Sequence, residues 1–290
     1  MSISVPALMG QLLIGLINGS FYALLSLGLA VIFGLLNIIN FTHGAQYMLG
    51  AFVAWFLLNK AGLGYWWALA LVPIVLAAFG VLIERLMLKH LYKLDHLYGL
   101  LLTFGLALVL EGIFTHQFGS AGLPYNMPEK LTGGYNLGFM FLPTYRAWVI
   151  VASLVICLGT WFVIERTRLG SYLRAATENP ALVQAFGVNV PRMITLTYGF
   201  GVALAGLAGV FAAPIYQVSP QMGSSLIIVV FAVVVIGGMG SIMGSILTGF
   251  GLGIIEGLTK YFYPEASSTV IFVIMAIVLM VRPQGLFGQR

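Results

Sequence analysis

The chain has 290 residues, of which 60% are hydrophobic and 7% charged, with a mean hydropathy of +1.03 and a net charge of +5. Apolar residues this abundant exceed what a core of this size can hide, which excludes a water-soluble globular protein and places the chain in a membrane. In such a chain a basic excess reports topology rather than nucleic-acid binding, and a lone cysteine, Cys157, excludes a disulfide framework or a thiolate metal site.

A membrane-spanning helix needs about 20 mostly apolar residues. Segments of this kind run over 9–36, 44–58, 66–88, 97–118, 146–164, 193–213, 226–240, 244–260 and 269–281. Several are too short to cross alone. The expectation is therefore an all-α, polytopic transmembrane helical bundle of about eight or nine membrane segments, some broken, forming one domain over 1–290. The opening MSISVPALMG lacks a basic region, so no cleavable signal peptide is expected. Arg85, Lys89, Lys93, Arg166, Arg168, Arg174, Arg192, Arg282 and Arg290 fall at one side of these segments, against Lys60, Lys130, Arg146 and Lys260 at the other. The positive-inside bias assigns 84–96, 165–192 and the C-terminus to the cytoplasm, makes 119–145 the main external loop, and by parity leaves the N-terminus outside.

Polar residues mark where the segments depart from plain lipid-facing helices. Asn37, Asn40, Thr42 and His43 interrupt apolar sequence between Gly34 and Gly44. Non-helical backbone at membrane depth survives only when buried in protein or lining a wet cavity. LNIINFTHG thus reads either as a helix break beside a translocation path or as a short surface loop with His43 capping a helix. Glu111 has no sequence-near partner, and an ionised carboxylate at mid-bilayer costs about 2.5 to 3.5 kcal/mol on insertion scales, so it should face the bundle interior, pair with a donor or be protonated, which makes it a candidate lining residue. Glu256 precedes Lys260 by four residues, the spacing of a helical ion pair, and that structural pairing is expected. Cys157 reads as a small buried hydrophobe. His43, His90, His96 and His116 have no metal-ligand spacing, and no catalytic constellation or cofactor site emerges.

Gly201, Ala205, Gly209 and Ala213 recur every four residues, and Gly240 with Gly244 and Gly249 with Gly253 repeat the interval, which predicts close helix contacts. GGMGSIMGS at 237–245 lacks the Lys-Ser or Lys-Thr of a phosphate-binding loop, so any ATP must be bound by a separate subunit.

The longest run that a bilayer could not hold is Glu165 to Arg192, with Arg166, Arg168, Arg174, Glu178 and the two ends charged. Asn179 suits an N-cap, Pro180 the first helical position and Gly187 the left-handed residue that closes a helix, predicting a short helix over Pro180 to Phe186. Leu169, Tyr172, Leu173 and Ala176 fall at helical spacing, predicting a second short helix that ends near Thr177. Such a pair either lies in the lipid headgroups or docks into a groove on a partner.

TRLGSYLRAATENPALVQAFGVNV resembles the cytoplasmic coupling loop of the permease subunits of branched-chain amino acid ABC importers, whose relatives carry urea, short amides or sugars. NIINFTHGAQYMLGAFVA at 37–54 and VRPQGLFG at 281–288 resemble two further stretches of that family, and the likeness runs over essentially the whole chain. The resemblance implies a multi-pass permease of the bacterial inner membrane that works by alternating access, without its own ATPase site or a cofactor. It implies a second related permease subunit, two cytoplasmic ATP-binding subunits and an external substrate-binding protein as partners, besides membrane lipid, and no nucleic acid. The residues that match the coupling loop are Gly170, Arg174, Ala175, Glu178, Asn179, Pro180 and Gly187. The resemblance also favours the translocation path for Asn37, Asn40 and His43, with Glu111 as a further candidate. Branched-chain amino acids are the leading substrates, with urea or short amides the runner-up. The competing class is an ion-coupled secondary transporter in which Glu111 carries the proton.

Overall fold

Apolar side chains gain little by leaving lipid for one another, so helices in a membrane associate where small residues let backbones touch. In the computed structural model, which describes residues 4–288 other than 37, 38, 93 and 139, that rule sets the frame. Helix α1 (Val5–Leu36) and helix α10 (Ile242–Phe262) run antiparallel with glycines at their seam. A methyl group added at Gly253 would fall on the backbone of Gly15 and Gly19, and one added at Gly249 on the backbone of Ala23. Helix α8 (Val190–Tyr216) crosses the other side of α1 where Gly201 meets Gly28. It meets α2 (Thr42–Asn59) where Gly206 faces Gly50 and Gly209 faces the Tyr47 carbonyl, and α3 (Tyr65–Leu86) where Gly80 lies under Val202. The small residues read from the sequence at 201, 205, 209 and 213 are all buried in these contacts.

Around this frame stand α4 (His96–Phe118) and α5 (Thr144–Arg166), which turn Leu101, Leu108, Val155 and Phe162 outward as a lipid-facing surface should. Two short helices, α6 (Arg168–Glu178) and α7 (Pro180–Ala185), link α5 to α8, and α9 (Ser224–Gly237) and α11 (Val270–Val281) flank α10. Seven stretches of helix are long and apolar enough to cross a membrane. With the less apolar α2 and the shorter α11 they match the expected eight or nine segments. Within 119–145 the chain adds a small antiparallel hairpin, β1 (Gly134–Asn136) with β2 (Phe141–Pro143), which helical periodicity could not announce. Its turn side is fixed by Asn136, whose Oδ1 accepts from Gly138 N at 3.0 Å.

Two of the segments are half-helices. Helix α2 does not start at the end of α1. His43 lies 3.0 Å from the Leu25 carbonyl, eleven residues back along α1, about 16 Å at 1.5 Å per residue. Helix α9 likewise starts inside the bundle, and its preceding Gly223 packs backbone to backbone on Gly44. The N-termini of α2 and α9 therefore meet in the interior and the two helices run apart to opposite ends. The link from α8 into α9 turns at Gln217, a non-glycine residue at φ +61°, and is anchored by the pairing of Val218 with Leu123. Backbone of this kind costs on the order of 1–3 kcal/mol and persists only where its surroundings hold it.

The glycine seam gives a matched test. Gly253→Ala should force α10 off α1 and lower the thermal midpoint of the detergent-solubilised protein, at a cost of about 1–3 kcal/mol as for other overpacked sites. Gly251→Ala, two residues away with nothing within 4 Å, should leave the midpoint unchanged.

Candidate functional site

The polar run 165–192 folds as its residues suggest. Asn179 Oδ1 accepts from Leu182 N at 3.0 Å and caps α7, Pro180 takes the first helical position, and Gly187 closes the turn at φ +84°. Asn189 Oδ1 then caps α8 through Arg192 N at 3.1 Å. Leu173, Ala176, Val183, Val190 and Met193 are buried against one another, so α6, α7 and the start of α8 share a small core of their own. Gly170 is buried where α6 meets α5, and any side chain there would collide with the Ile164 carbonyl. Arg174 ties the same joint, donating to the Ile164 carbonyl at 3.0 Å and to Glu165 Oε2 at 3.3 Å. Arg174, Ala175, Glu178, Asn179, Pro180 and Gly187 are exposed, and Leu169, Tyr172, Leu182 and Phe186 stand outward among them, Phe186 at 79%.

Beneath α6 lies a cavity of about 340 Å³, closed by the ends of α1 and α5, by Thr197 of α8, and by the turn Met239–Ile242 between α9 and α10. The tail bearing VRPQGLFG seals that turn. Leu286 N and Phe287 N donate to the Ile236 and Gly237 carbonyls, and Gly285 packs on Gly238, both glycines at positive φ. Two stretches distant in sequence, GGMGS and the tail, thus form one structure beside the polar loop. Gly240, at φ +83°, also lies against Gly34 of α1, which joins this corner to the frame.

Of the candidate path residues, Asn37 lies outside the described residues. Asn40 and His43 are sealed in protein, 1% and 0% exposed. The break they belong to is stitched to three helices. Thr42 Oγ1 donates to the Thr103 carbonyl of α4 at 2.8 Å, His43 meets α1, and Asn40 reaches Gln46, whose Nε2 donates to Tyr198 of α8 at 3.2 Å. Asn40 Oδ1 and His43 Nδ1 have no partner among the described residues. Glu111 is elsewhere, half-buried on the edge of a small apolar cavity of about 60 Å³ beside the starts of α2 and α9.

The expected Glu256–Lys260 ion pair does not form. Glu256 turns toward α1, where Tyr22 Oη donates to it at 2.7 Å and Asn18 Nδ2 at 3.4 Å, and Lys260 is exposed. Two uncharged donors on a fixed neighbour satisfy the carboxylate without immobilising a flexible ammonium. Among the described residues the ion pair found is Glu165–Arg174. The sequence reading also missed Glu84, which is 2% exposed and accepts from Tyr92 and Thr195, each at 2.7 Å, joining α3 to α8. Burial and its bond to the Glu84 carboxylate push the Tyr92 hydroxyl well above its ordinary range. The signal was present: a carboxylate in VLIERLM and an amide, Asn18, in GLINGS are polar groups at helix positions that otherwise face lipid or core.

A model of the family described as branched-chain amino acid transport system, permease component, matches residues 11–279. The chain belongs to this permease family. The permease is similar to the high-affinity branched-chain amino acid transport system permease protein LivH of Escherichia coli K12, 30% identical over 96% of this chain and 95% of the relative. It is equally similar to BraD of Pseudomonas aeruginosa, 30% identical over the same shares. It is also similar to LivM of Escherichia coli K12, 29% identical over 91% of this chain and 67% of that protein. No solved structure matches it. The family and the helices make the permease a multi-pass membrane transport subunit.

The joint between α5 and α6 can be tested directly. Gly170→Ala should unseat α6 and speed tryptic cleavage after Arg168 and Arg174 several-fold in membranes. Gly159→Ala on the open face of α5 should not change the cleavage rate.

Proposed function

We propose that this permease is the transmembrane subunit of an ATP-driven importer in the bacterial inner membrane, carrying branched-chain amino acids inward by alternating access. The observation that carries the proposal is the α6–α7 pair: a capped, self-packed polar unit held outside an apolar bundle, with apolar side chains presented among charges. Helices lying in headgroups would turn their apolar face to the lipid, whereas here the buried face is spent on the protein's own core. The outward set Leu169, Tyr172, Leu182 and Phe186 suits a groove on a partner. In this reading the loop end and the C-terminus are cytoplasmic, in keeping with the basic residues there.

Two ATP-binding subunits would seat on Gly170 to Gly187, since the permease carries no phosphate-binding loop and no ATPase site of its own. Arg174 and the shared core would pass their closure to α5 and α8 as a rigid-body push, and the cavity under α6 gives room for it. A second related permease would complete the channel, and an external binding protein would deliver substrate at the hairpin end. Asn40 and His43 then act by pinning the break between α1 and α2, and Glu111 by standing beside the junction of α2 with α9.

Two measurements test the proposal. Uptake of leucine, isoleucine and valine into vesicles holding the full complex should persist when the proton gradient is collapsed and ATP retained; loss of uptake would favour the ion-coupled class. Gly187→Val, which forces a β-branched residue to φ +84°, should reduce uptake to near background and weaken copurification of the ATP-binding subunits while membrane insertion stays normal. Normal uptake by that variant would contradict docking at this loop.

A further inference from the structure

Between α1, α2, α8 and the link into α9 lies a cavity of about 350 Å³, within the range of small-molecule sites. Its polar wall is built by Asn18, Tyr22, Tyr47, Tyr216, Ser219 and Ser225, the last with its proton given to the Met222 carbonyl, and its apolar wall includes Phe21 and Leu226. It opens past Tyr216, which is 46% exposed, next to the strained turn at Gln217.

The hydrogen bonds behind the polar wall fix which way its groups point. Tyr22 Oη donates to Glu256 Oε2 at 2.7 Å, Asn18 Nδ2 donates to Oε1 at 3.4 Å, and Tyr216 Oη donates to Asn18 Oδ1 at 2.8 Å. Both phenolic protons are thereby committed to a chain that ends on one carboxylate. A phenolic oxygen whose proton is used elsewhere offers only lone pairs, so Tyr22 and Tyr216 face the cavity as acceptors. Tyr47, wholly buried, brings a hydroxyl that has no partner among the described residues. An unpaired buried hydroxyl costs about 1–3 kcal/mol, and a bound donor would satisfy its oxygen. Acceptors backed by a half-buried carboxylate favour a cation that donates hydrogen bonds, and the apolar wall beside them favours an aliphatic chain.

We infer that this cavity recognises the ammonium group of the substrate, with Glu256 supplying the negative charge and Tyr22, Tyr47 and Tyr216 the acceptors. The inference rests on the reading of the chain as a branched-chain amino acid permease and adds to it a physical ground for discrimination. A primary ammonium on a short branched skeleton satisfies both walls, while urea or a short neutral amide leaves the carboxylate uncompensated.

The test is equilibrium binding to the purified complex without binding protein, with leucine, 3-methylbutylamine and 4-methylpentanoate as probes. The amine lacks the carboxylate of leucine and the acid lacks its ammonium. Wild-type complex should bind leucine and the amine and bind the acid weakly. Glu256→Gln should weaken leucine and amine by about tenfold or more, the loss expected when a hydrogen bond to a charged group goes, and leave the acid unchanged. Equal loss for all three probes would mark a merely structural role and overturn the inference, as would wild-type affinities in the variant. Tyr47→Phe keeps the packing and removes one oxygen, so it should shift the same ratio in a complex that assembles normally; an unshifted ratio there counts against the site. If wild-type complex takes up urea or acetamide and no branched-chain amino acid, the substrate reading itself fails, an outcome distinct from an unaltered Glu256→Gln.

Discussion

The contact on which the molecule depends is backbone against backbone along α1. Gly15, Gly19 and Gly28 let α10 and α8 approach on two sides, and Gly249, Gly253 and Gly201 answer from the facing helices. Lipid supplies no hydrophobic drive for this association, so it is dispersion between closely packed surfaces that holds it. The arrangement makes α1, α8 and α10 a stiff frame. Helices α4 and α5, with many side chains turned outward, are hung on that frame rather than part of it.

A stiff frame permits irregular backbone in its interior. The chain turns back after α1 and again after α8, and the start of α2 leaves backbone N–H groups inside the bundle, where they need partners. The Thr103 hydroxyl meets that demand at the first break, accepting from Phe41 N and reaching the Ile39 carbonyl, each at 3.2 Å, and the Val218–Leu123 pairing holds the second. Among the described residues seven buried polar atoms have no partner, and three of them, Asn40 Oδ1, His43 Nδ1 and the Tyr47 hydroxyl, belong to the break or to the first turns of α2. Those three sit within residues 40–47, at the start of α2, where a second conformation could satisfy them together. That junction lies between the cavity under α6 and the cavity beside Tyr216, where the proposed alternating access would require a change.

Much of this was legible beforehand because it follows from local rules. Apolar run length set the spans, the four-residue interval of glycine and alanine set the contacts of α8, and Asn179, Pro180 and Gly187 set α7 to within a residue. What could not be read depends on which helix faces which. Lys260 is the sequence-near partner of Glu256, yet the α1 face carrying Asn18 and Tyr22 is nearer in space. Glu84 gave no motif because its partners, Tyr92 and Thr195, lie on different elements. The meeting of the C-terminal tail with the GGMGS turn was likewise hidden by separation along the chain, although each stretch was noticed alone. The half-helix character of α9 was masked by its unbroken apolar sequence.

The central claim is that the α6–α7 unit is a cytoplasmic receiving surface, and one labelling experiment addresses it most directly. A single cysteine at Gln184, exposed on α7, is introduced into a chain whose buried Cys157 is replaced by alanine. A membrane-impermeant maleimide should modify it in inside-out vesicles, more slowly once the ATP-binding subunits are bound, and should not modify it in intact spheroplasts. Modification from the outside of intact spheroplasts would contradict the account.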